Sequence, residues 1–250
     1  MERPGRPGGP RSKSGVRSSA PIANIDPMLS FPAYLAGLGT AALSLAQSAF
    51  GDVPTLLEAQ AGLKSWTAEF VQTRTLKSLK QPLKTAGHLY FVAPNIFRWE
   101  LGDPVQTIAV RTSNEVLLLY PPLKRAERYS LAPNERSQWQ EMLSLLDAGF
   151  PRSQKDLESR FKIISVRDES GKTHVVLQPK AASARRWMQE MELIFDGAAR
   201  SLVATELRFA DGSSLRNDFR NERKNAEIAP ELFRPQIPPD YKVIEPAKRK

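Results

Sequence analysis

The sequence predicts an α+β chain built on antiparallel sheet, and three observations predict it. Bulky apolar residues alternate with polar ones through Gly87–Tyr120, turn residues recur at short intervals through the last third, and a helical stretch at 134–149 interrupts the strands. In the first region, Leu89 and Phe91 share one face of an extended segment, and Pro94-Asn95 supplies a turn. Phe97, Trp99 and Leu101 then share one face of the next segment, because side chains alternate along a strand. A second pair, Val105–Val110 and Val116–Tyr120, flanks the polar turn Thr112-Ser113-Asn114.

Residues 1–51 read as a leader and residues 52–250 as the folded domain. The leader begins rich in Pro, Gly, Ser, Arg and Lys. It continues as the nearly uncharged run Met28–Ala46 and ends in the small residues Ala46, Ser48, Ala49 and Gly51, the pattern of a secretory signal peptide. Interior Pro32, Gly37 and Gly39 favour cleavage over an uncleaved membrane anchor. Gly37-x-Gly39-x-x-Ala42 mimics a dinucleotide fingerprint but lacks its strand-turn-helix context.

A short helix opens the domain, with Thr55 and Glu58 at capping-box spacing and Leu56, Ala59 and Leu63 at helical intervals. Trp66–Thr75 is strand-like, with Phe70 and Gln72 on one face. Leu76–Lys84 reads as a solvated hairpin tip, the alternative being a loop that touches a membrane or a partner. After Tyr120, Pro121-Pro122 breaks the sheet, and Asn134 starts a helix ending near Gly149, with Trp139, Met142, Leu143 and Leu146 on its apolar face. Such an insertion has to cover one face of the sheet. Ser153 caps a further short helix reaching Arg160, with Leu157 and Phe161 pointing inward.

The last third is a meander. Phe161–Val166 and Thr173–Gln178 flank a turn at 168–171, Met188–Phe195 and Ser201–Phe209 flank Asp196-Gly197, and Asp211-Gly212 leads into Ser213–Arg223. In Met188–Phe195, Met191, Leu193 and Phe195 share one face. Glu190 and Glu192 share the other, which is expected to be the solvated face of an edge-like strand rather than an acid–base pair.

Composition removes several classes of function. The chain has no cysteine, so disulfides, zinc-thiolate sites and a cysteine nucleophile are excluded, and its two histidines are far apart in sequence. No serine nucleophile elbow or phosphate-binding glycine loop is present, and no catalytic residue, metal ligand or cofactor site is assigned. Without the leader's five basic and two acidic residues, 31 basic and 25 acidic side chains remain, a net charge of +6. The basic residues are dispersed and belong to no nucleic-acid module, so no nucleic-acid partner is expected; an ordinary solvated surface is, with modest attraction to anionic lipid head groups as the functional alternative.

Five motifs in order resemble the LolA family of periplasmic lipoprotein carriers. They are Gly87-x-Leu89-x-Phe91-x-x-Pro94-x-x-Phe97-Arg98-Trp99-Glu100, Pro104-x-Gln106-x-Ile108, Tyr120-x-Pro122, Val176-Leu177-Gln178-Pro179-Lys180 and Phe233-x-x-x-x-Pro238-Pro239. The resemblance covers nearly the whole chain after residue 52. It implies a strongly curved antiparallel β-sheet, an incomplete β-barrel, closed by a lid of short α-helices over an apolar cavity for acyl chains.

It further implies a monomeric periplasmic carrier without chemistry of its own. Such a carrier takes lipoproteins from an inner-membrane LolCDE-type ABC exporter and hands them to an outer-membrane LolB-type receptor. The missing cysteine argues against the anchored receptor itself. By strand parity the lipid-binding residues are Phe70, Leu89, Phe91, Phe97, Trp99, Leu117, Leu119, Met191 and Leu193, with Met142, Leu143 and Leu146 from the lid.

Two departures stand out. In the family an arginine before the hairpin proline ties the lid shut, and here that position is Ala93, which leaves Arg98 as a candidate replacement. The family's Ser-Asp-Gly turn is Thr112-Ser113-Asn114. These leave room for a LolA-like paralogue with another lipid cargo; a separate alternative that the resemblance implies is a periplasmic regulator that senses lipids or lipoproteins with the same curved sheet.

Overall fold

The structure is a computed structural model that describes residues 53–132 and 153–245. The leader and the helix expected at 134–149, with Met142, Leu143 and Leu146, lie outside the described residues. Helix α1 (residues 53–61) precedes six strands, β1 (Ser65–Thr75), β2 (Leu83–Val92), β3 (Ile96–Leu101), β4 (Thr107–Arg111), β5 (Glu115–Tyr120) and β6 (Arg125–Ser130). Helix α2 (Gln154–Arg160) leads into β7 (Phe161–Glu169) and β8 (Lys172–Pro179). Then come α3 (Ala182–Arg185), β9 (Met188–Asp196), β10 (Ser201–Phe209), β11 (Ser214–Lys224) and β12 (Lys242–Ile244).

The strands form one sheet in the order β12-β6-β5-β4-β3-β2-β1-β11-β10-β9-β8-β7. Only β12 on β6 is parallel. The curved sheet does not close, since β12 and β7 end it without pairing to each other.

Local chemistry accounts for most of the turns. Ser170 and Gly171 both have positive φ, 52° and 75°, which is what a two-residue hairpin between right-twisted strands requires. The Thr112 hydroxyl accepts the amide hydrogens of Asn114 and Glu115 at 3.3 Å each and so shapes the β4–β5 turn. Ser153 caps α2 by accepting the Asp156 N–H.

One face of the sheet, called the inner face below, carries three apolar clusters, with Arg111 across from Phe97 and the hydrogen-bonded Gln72, Asn217 and Thr205 as polar positions between them. Helices α1, α2 and α3 place Val53, Leu56, Leu57, Leu157 and Ala184 in one cluster with Val175, Leu177, Met191, Leu193, Phe195 and Leu202 of the β7–β10 half. Phe219 on β11 joins this cluster to a second, which holds Trp66, Phe70, Leu89, Phe91, Phe97 and Trp99. Phe97 in turn joins the second cluster to Val116, Leu118, Tyr120 and Tyr129. Burial of each such large side chain contributes about 1.5–3 kcal/mol.

The outer face has two characters. Over β4–β6 it is apolar, with Leu117, Leu119 and Ala126 packed against Ile108, Ile237 and Tyr241, the last two from the C-terminal segment. Over β7–β11 it carries ion pairs. Glu192 is only 3% exposed and binds Arg208 at 3.0 Å, His174 and Arg167. This corrects the solvated edge expected for Glu190 and Glu192, because β9 lies inside the sheet between β8 and β10.

Other expectations shift as well. Thr55 lies within α1 and does not cap it. Strand β2 begins at Leu83, opposite Arg74, so the hairpin tip is shorter than 76–84. Strands β6 and β12 were not anticipated, since Arg125–Ser130 has polar side chains on both faces and gains its place only by pairing to β5 and β12.

Candidate functional site

The centre of the inner face is an aromatic cluster made by three strands. Phe70 lies across from Phe219 on one side and Gly87 on the other, because β1 pairs with both β11 and β2. The Phe70 and Trp99 rings are 4.2 Å apart between centroids at 40°, and Trp66 meets Phe219 edge-on at 4.9 Å. Gly87 is glycine because the Phe70 ring occupies the place of its missing β-carbon; a Cβ there would come 2.8 Å from Phe70 Cε1 and would also overlap the Glu100 carbonyl oxygen. That close approach gives a physical reason for the glycine that opens the first motif.

Leu89 lies opposite Trp99 and Phe91 opposite Phe97, so Phe70, Leu89, Phe91, Phe97 and Trp99 share the inner face. Phe97, Trp99 and Leu101 are half-buried, whereas Phe70, Leu89 and Phe91 are buried. Met191 and Leu193 are on the same face of the sheet but sit in the cluster that also holds Val53, Leu56 and Leu57 of α1.

Leu117 and Leu119 are not part of this surface. Trp99 pairs with Ala109 and Ala109 with Leu118, which puts Val116 and Leu118 on the inner face and Leu117 and Leu119 on the outer one. The run Val116-Leu117-Leu118-Leu119 is apolar on both faces because both are covered, so period-two alternation has nothing to distinguish. Trp66 and Phe219 were also missed as site residues. Phe219 stands out only once β11 is known to lie beside β1, a pairing between residues about 150 positions apart.

Arg98, the candidate replacement for the family's lid arginine, is engaged on the outer face. As the neighbour of inward Trp99 it points to the outer face, where its guanidinium binds the Glu100 carboxylate and donates to the Leu232 carbonyl at 3.0 Å. It thereby holds the turn of 3-10 helix at Pro230–Phe233 against β3. At Ala93 only the main chain is engaged, the amide donating to the Lys64 carbonyl at 2.9 Å.

A cleft of about 270 Å³ opens where β10 and β11 part. Their pairing spans Ala204–Arg208 and Ser214–Asp218 only. Beyond it each strand carries a bulge, β10 between Leu202 and Ala204 and β11 between Arg220 and Arg223, where Asn221 has φ 51°. Leu202 and Phe219 give the cleft apolar walls, and Asp196, Arg220 and Glu222 line it with charge. Glu222 also accepts the Trp66 indole N–H at 3.0 Å.

Electrostatics on the outer face concern structure. Burial pushes the Glu192 carboxyl up, but the hydrogen bond from His174 and the charges of Arg167 and Arg208 outweigh it and hold Glu192 below the usual carboxylate range. Among the described residues no group of three or more His, Cys, Asp or Glu side chains is placed to hold a metal ion, and no helix is long and apolar enough to cross a membrane.

Comparison with known proteins gives the family. The profile of the outer membrane lipoprotein carrier protein LolA matches residues 61–236. No curated protein matches. Among solved structures, the chain is similar to an uncharacterized conserved protein from Thermus thermophilus at 11% identity, covering 80% of this chain and 98% of that one with a TM-score of 0.45. It is similar to a LolA superfamily protein from Nitrosomonas europaea at 8% identity, covering 72% and 96% with a TM-score of 0.37. It is also similar to MucB in its complex with MucA from Pseudomonas aeruginosa, at 14% identity, covering 79% of this chain and 63% of that one with a TM-score of 0.41. The profile match, which spans well over half of the chain, carries the assignment: this chain belongs to the LolA family of outer membrane lipoprotein carrier proteins.

Proposed function

We propose that the chain is a periplasmic carrier that shelters the acyl chains of lipoproteins against its inner face, receiving them from a LolCDE-type ABC exporter and passing them to a LolB-type receptor. Membership of the LolA family points to binding of lipid or lipoprotein and to a protein without catalysis. Residues 1–51 serve as the export signal and 52–250 as the carrier domain. The observation that carries this reading is the set of three apolar clusters on the inner face, joined through Phe219 and Phe97.

The acyl chain contacts Phe97, Trp99 and Leu101 first, since these are half-buried, then Phe70, Leu89 and Phe91, with Val116 and Leu118 in place of Leu117 and Leu119. Met191 and Leu193 contribute to the floor beneath α1. Met142, Leu143 and Leu146 belong to the lid in this proposal.

Energetics explain why such a carrier works by sheltering alone. At about 0.8 kcal/mol per methylene, an acyl chain of about 14 methylenes loses on the order of 11 kcal/mol in water. Full recovery over several chains would pass the practical limit of about 20 kcal/mol for non-covalent binding, so a carrier that unloads must recover only part of it.

A second reading, a LolA-like carrier of a different lipid, is favoured by Ala93 together with the outward engagement of Arg98. Protein isolated from the periplasm separates the two. Native mass spectrometry with lipid extraction is expected to find bound lipoprotein, and the purified chain is expected to release lipoproteins from spheroplasts. A free lipid without lipoprotein supports the second reading, and an empty, inactive protein contradicts both.

A further inference from the structure

Alternate hairpins of an antiparallel sheet turn at the same end, so the β1–β2 tip, the β3–β4 and β5–β6 turns and the β10–β11 turn lie along one rim. Exposed apolar side chains collect there. Leu79 at 42% and Leu83 at 51% are on the β1–β2 tip, and Leu123 at 63% is in the β5–β6 turn. Val243 at 45% lies opposite Ala126, the second residue of β6. Among the described residues the one other exposed large hydrophobic is Ile164, on β7.

The charge on the tip is of one sign. No acidic residue occurs between Glu69 and Glu100, while Arg74, Lys77, Lys80 and Lys84 are all exposed. Lys77 folds against Gly212 of the neighbouring β10–β11 turn. Lys80 and Lys84 each follow directly on an exposed leucine, Leu79 and Leu83.

We propose that the β1–β2 tip on this rim is a docking element for an anionic bilayer surface. Leu79 and Leu83 enter the boundary between head groups and acyl chains, and Lys80 and Lys84 remain at the depth of the anionic head groups. Separate leucines interleaved with lysines on a narrow tip match a medium that is apolar below and anionic above, where long lysine stems follow the apolar side and keep their charge in the polar layer. An acidic protein surface would satisfy the lysines but offers the projecting leucines no comparable layer. The proposal does not rest on the carrier reading, because it concerns the outside of the sheet rim and is tested on lipid-free protein.

The test is co-sedimentation of the lipid-free chain with vesicles of phosphatidylcholine alone and of phosphatidylcholine mixed with phosphatidylglycerol. Binding is expected to the mixed vesicles only and to weaken with salt. In a Lys80→Ser/Lys84→Ser variant the partition is expected to fall by roughly fivefold per lysine. A Leu79→Ser/Leu83→Ser variant is expected to lose binding as well, and Ile164→Ser to bind as wild type. Each replaced side chain is exposed, so circular dichroism should remain that of the parent. Absence of binding to the mixed vesicles at low salt, equal binding to both vesicle types, or an unaffected leucine variant overturns the proposal.

Discussion

The Phe70 ring lies over Gly87, its cross-strand partner, and fills the space that a β-carbon would take. Substituting Gly87→Ala in a strand would ordinarily be neutral or mildly stabilising, since it restricts the unfolded chain. Here it is expected to destabilise by about 1–3 kcal/mol, because either the Phe70 ring or the β2–β3 pairing must move. Urea unfolding checks this, and an unchanged midpoint would contradict the packing described.

Phe219 is the residue through which two halves of the inner face touch. Phe219→Ala is expected to cost about 2–3 kcal/mol, less than for a fully buried ring because Phe219 is half-buried. Its edge contact with Trp66, 4.9 Å between centroids, should appear as a coupling of about 0.5–1.5 kcal/mol in a double-mutant cycle with Trp66→Leu. Strict additivity of the two changes would mean that the clusters are energetically separate.

Glu192 is buried among Arg167, His174 and Arg208, and Glu192→Gln is expected to lower stability by about 2 kcal/mol at neutral pH. The figure lies below that for a fully buried pair because both arginines are partly exposed. Its folded-state pKa is depressed, so the stabilisation is complete above the ordinary carboxylate range and is lost as pH falls through the depressed value. The gap between wild type and variant should therefore be widest near neutrality and close in acid. Measured unfolding free energies that keep a constant gap down to low pH would refute this.

Arg98→Ala removes the bond to the Leu232 carbonyl and the pair with Glu100. A loss of about 2 kcal/mol is expected, with faster proteolysis of the C-terminal segment that covers the outer face. If lipid release changed while the C-terminal segment kept its protease resistance, Arg98 would be acting on the lid after all.

How much of this was legible beforehand depended on which side of each strand meets water. The β2–β3 hairpin was readable because Leu89, Phe91, Phe97 and Trp99 alternate with His88, Tyr90 and Arg98, so one face identifies itself. On β5 both faces are covered, by the inner clusters and by Ile237 and Tyr241, and the pattern Val-Leu-Leu-Leu could not tell Leu117 from Leu118. Glu192 read as solvated because a lone strand does not reveal its neighbours; the side chains that bind it come from β7, β8 and β10. Phe219 depended on the β1–β11 pairing, which no local signal encodes. Strand β6, with Glu127 and Tyr129 on its inner face and Ala126 and Arg128 on its outer face, has too little apolar contrast to announce itself.

The central claim is that acyl chains lie against the face bearing Phe97 and Trp99. The most direct measurement places a photoreactive amino acid at Phe97 in one variant and at Leu117 in another, irradiates each in cells, and identifies what is attached. Adducts with lipoprotein acyl chains at 97 and none at 117 are predicted. Equal labelling at both positions, or lipid adducts at 117 alone, would contradict the account.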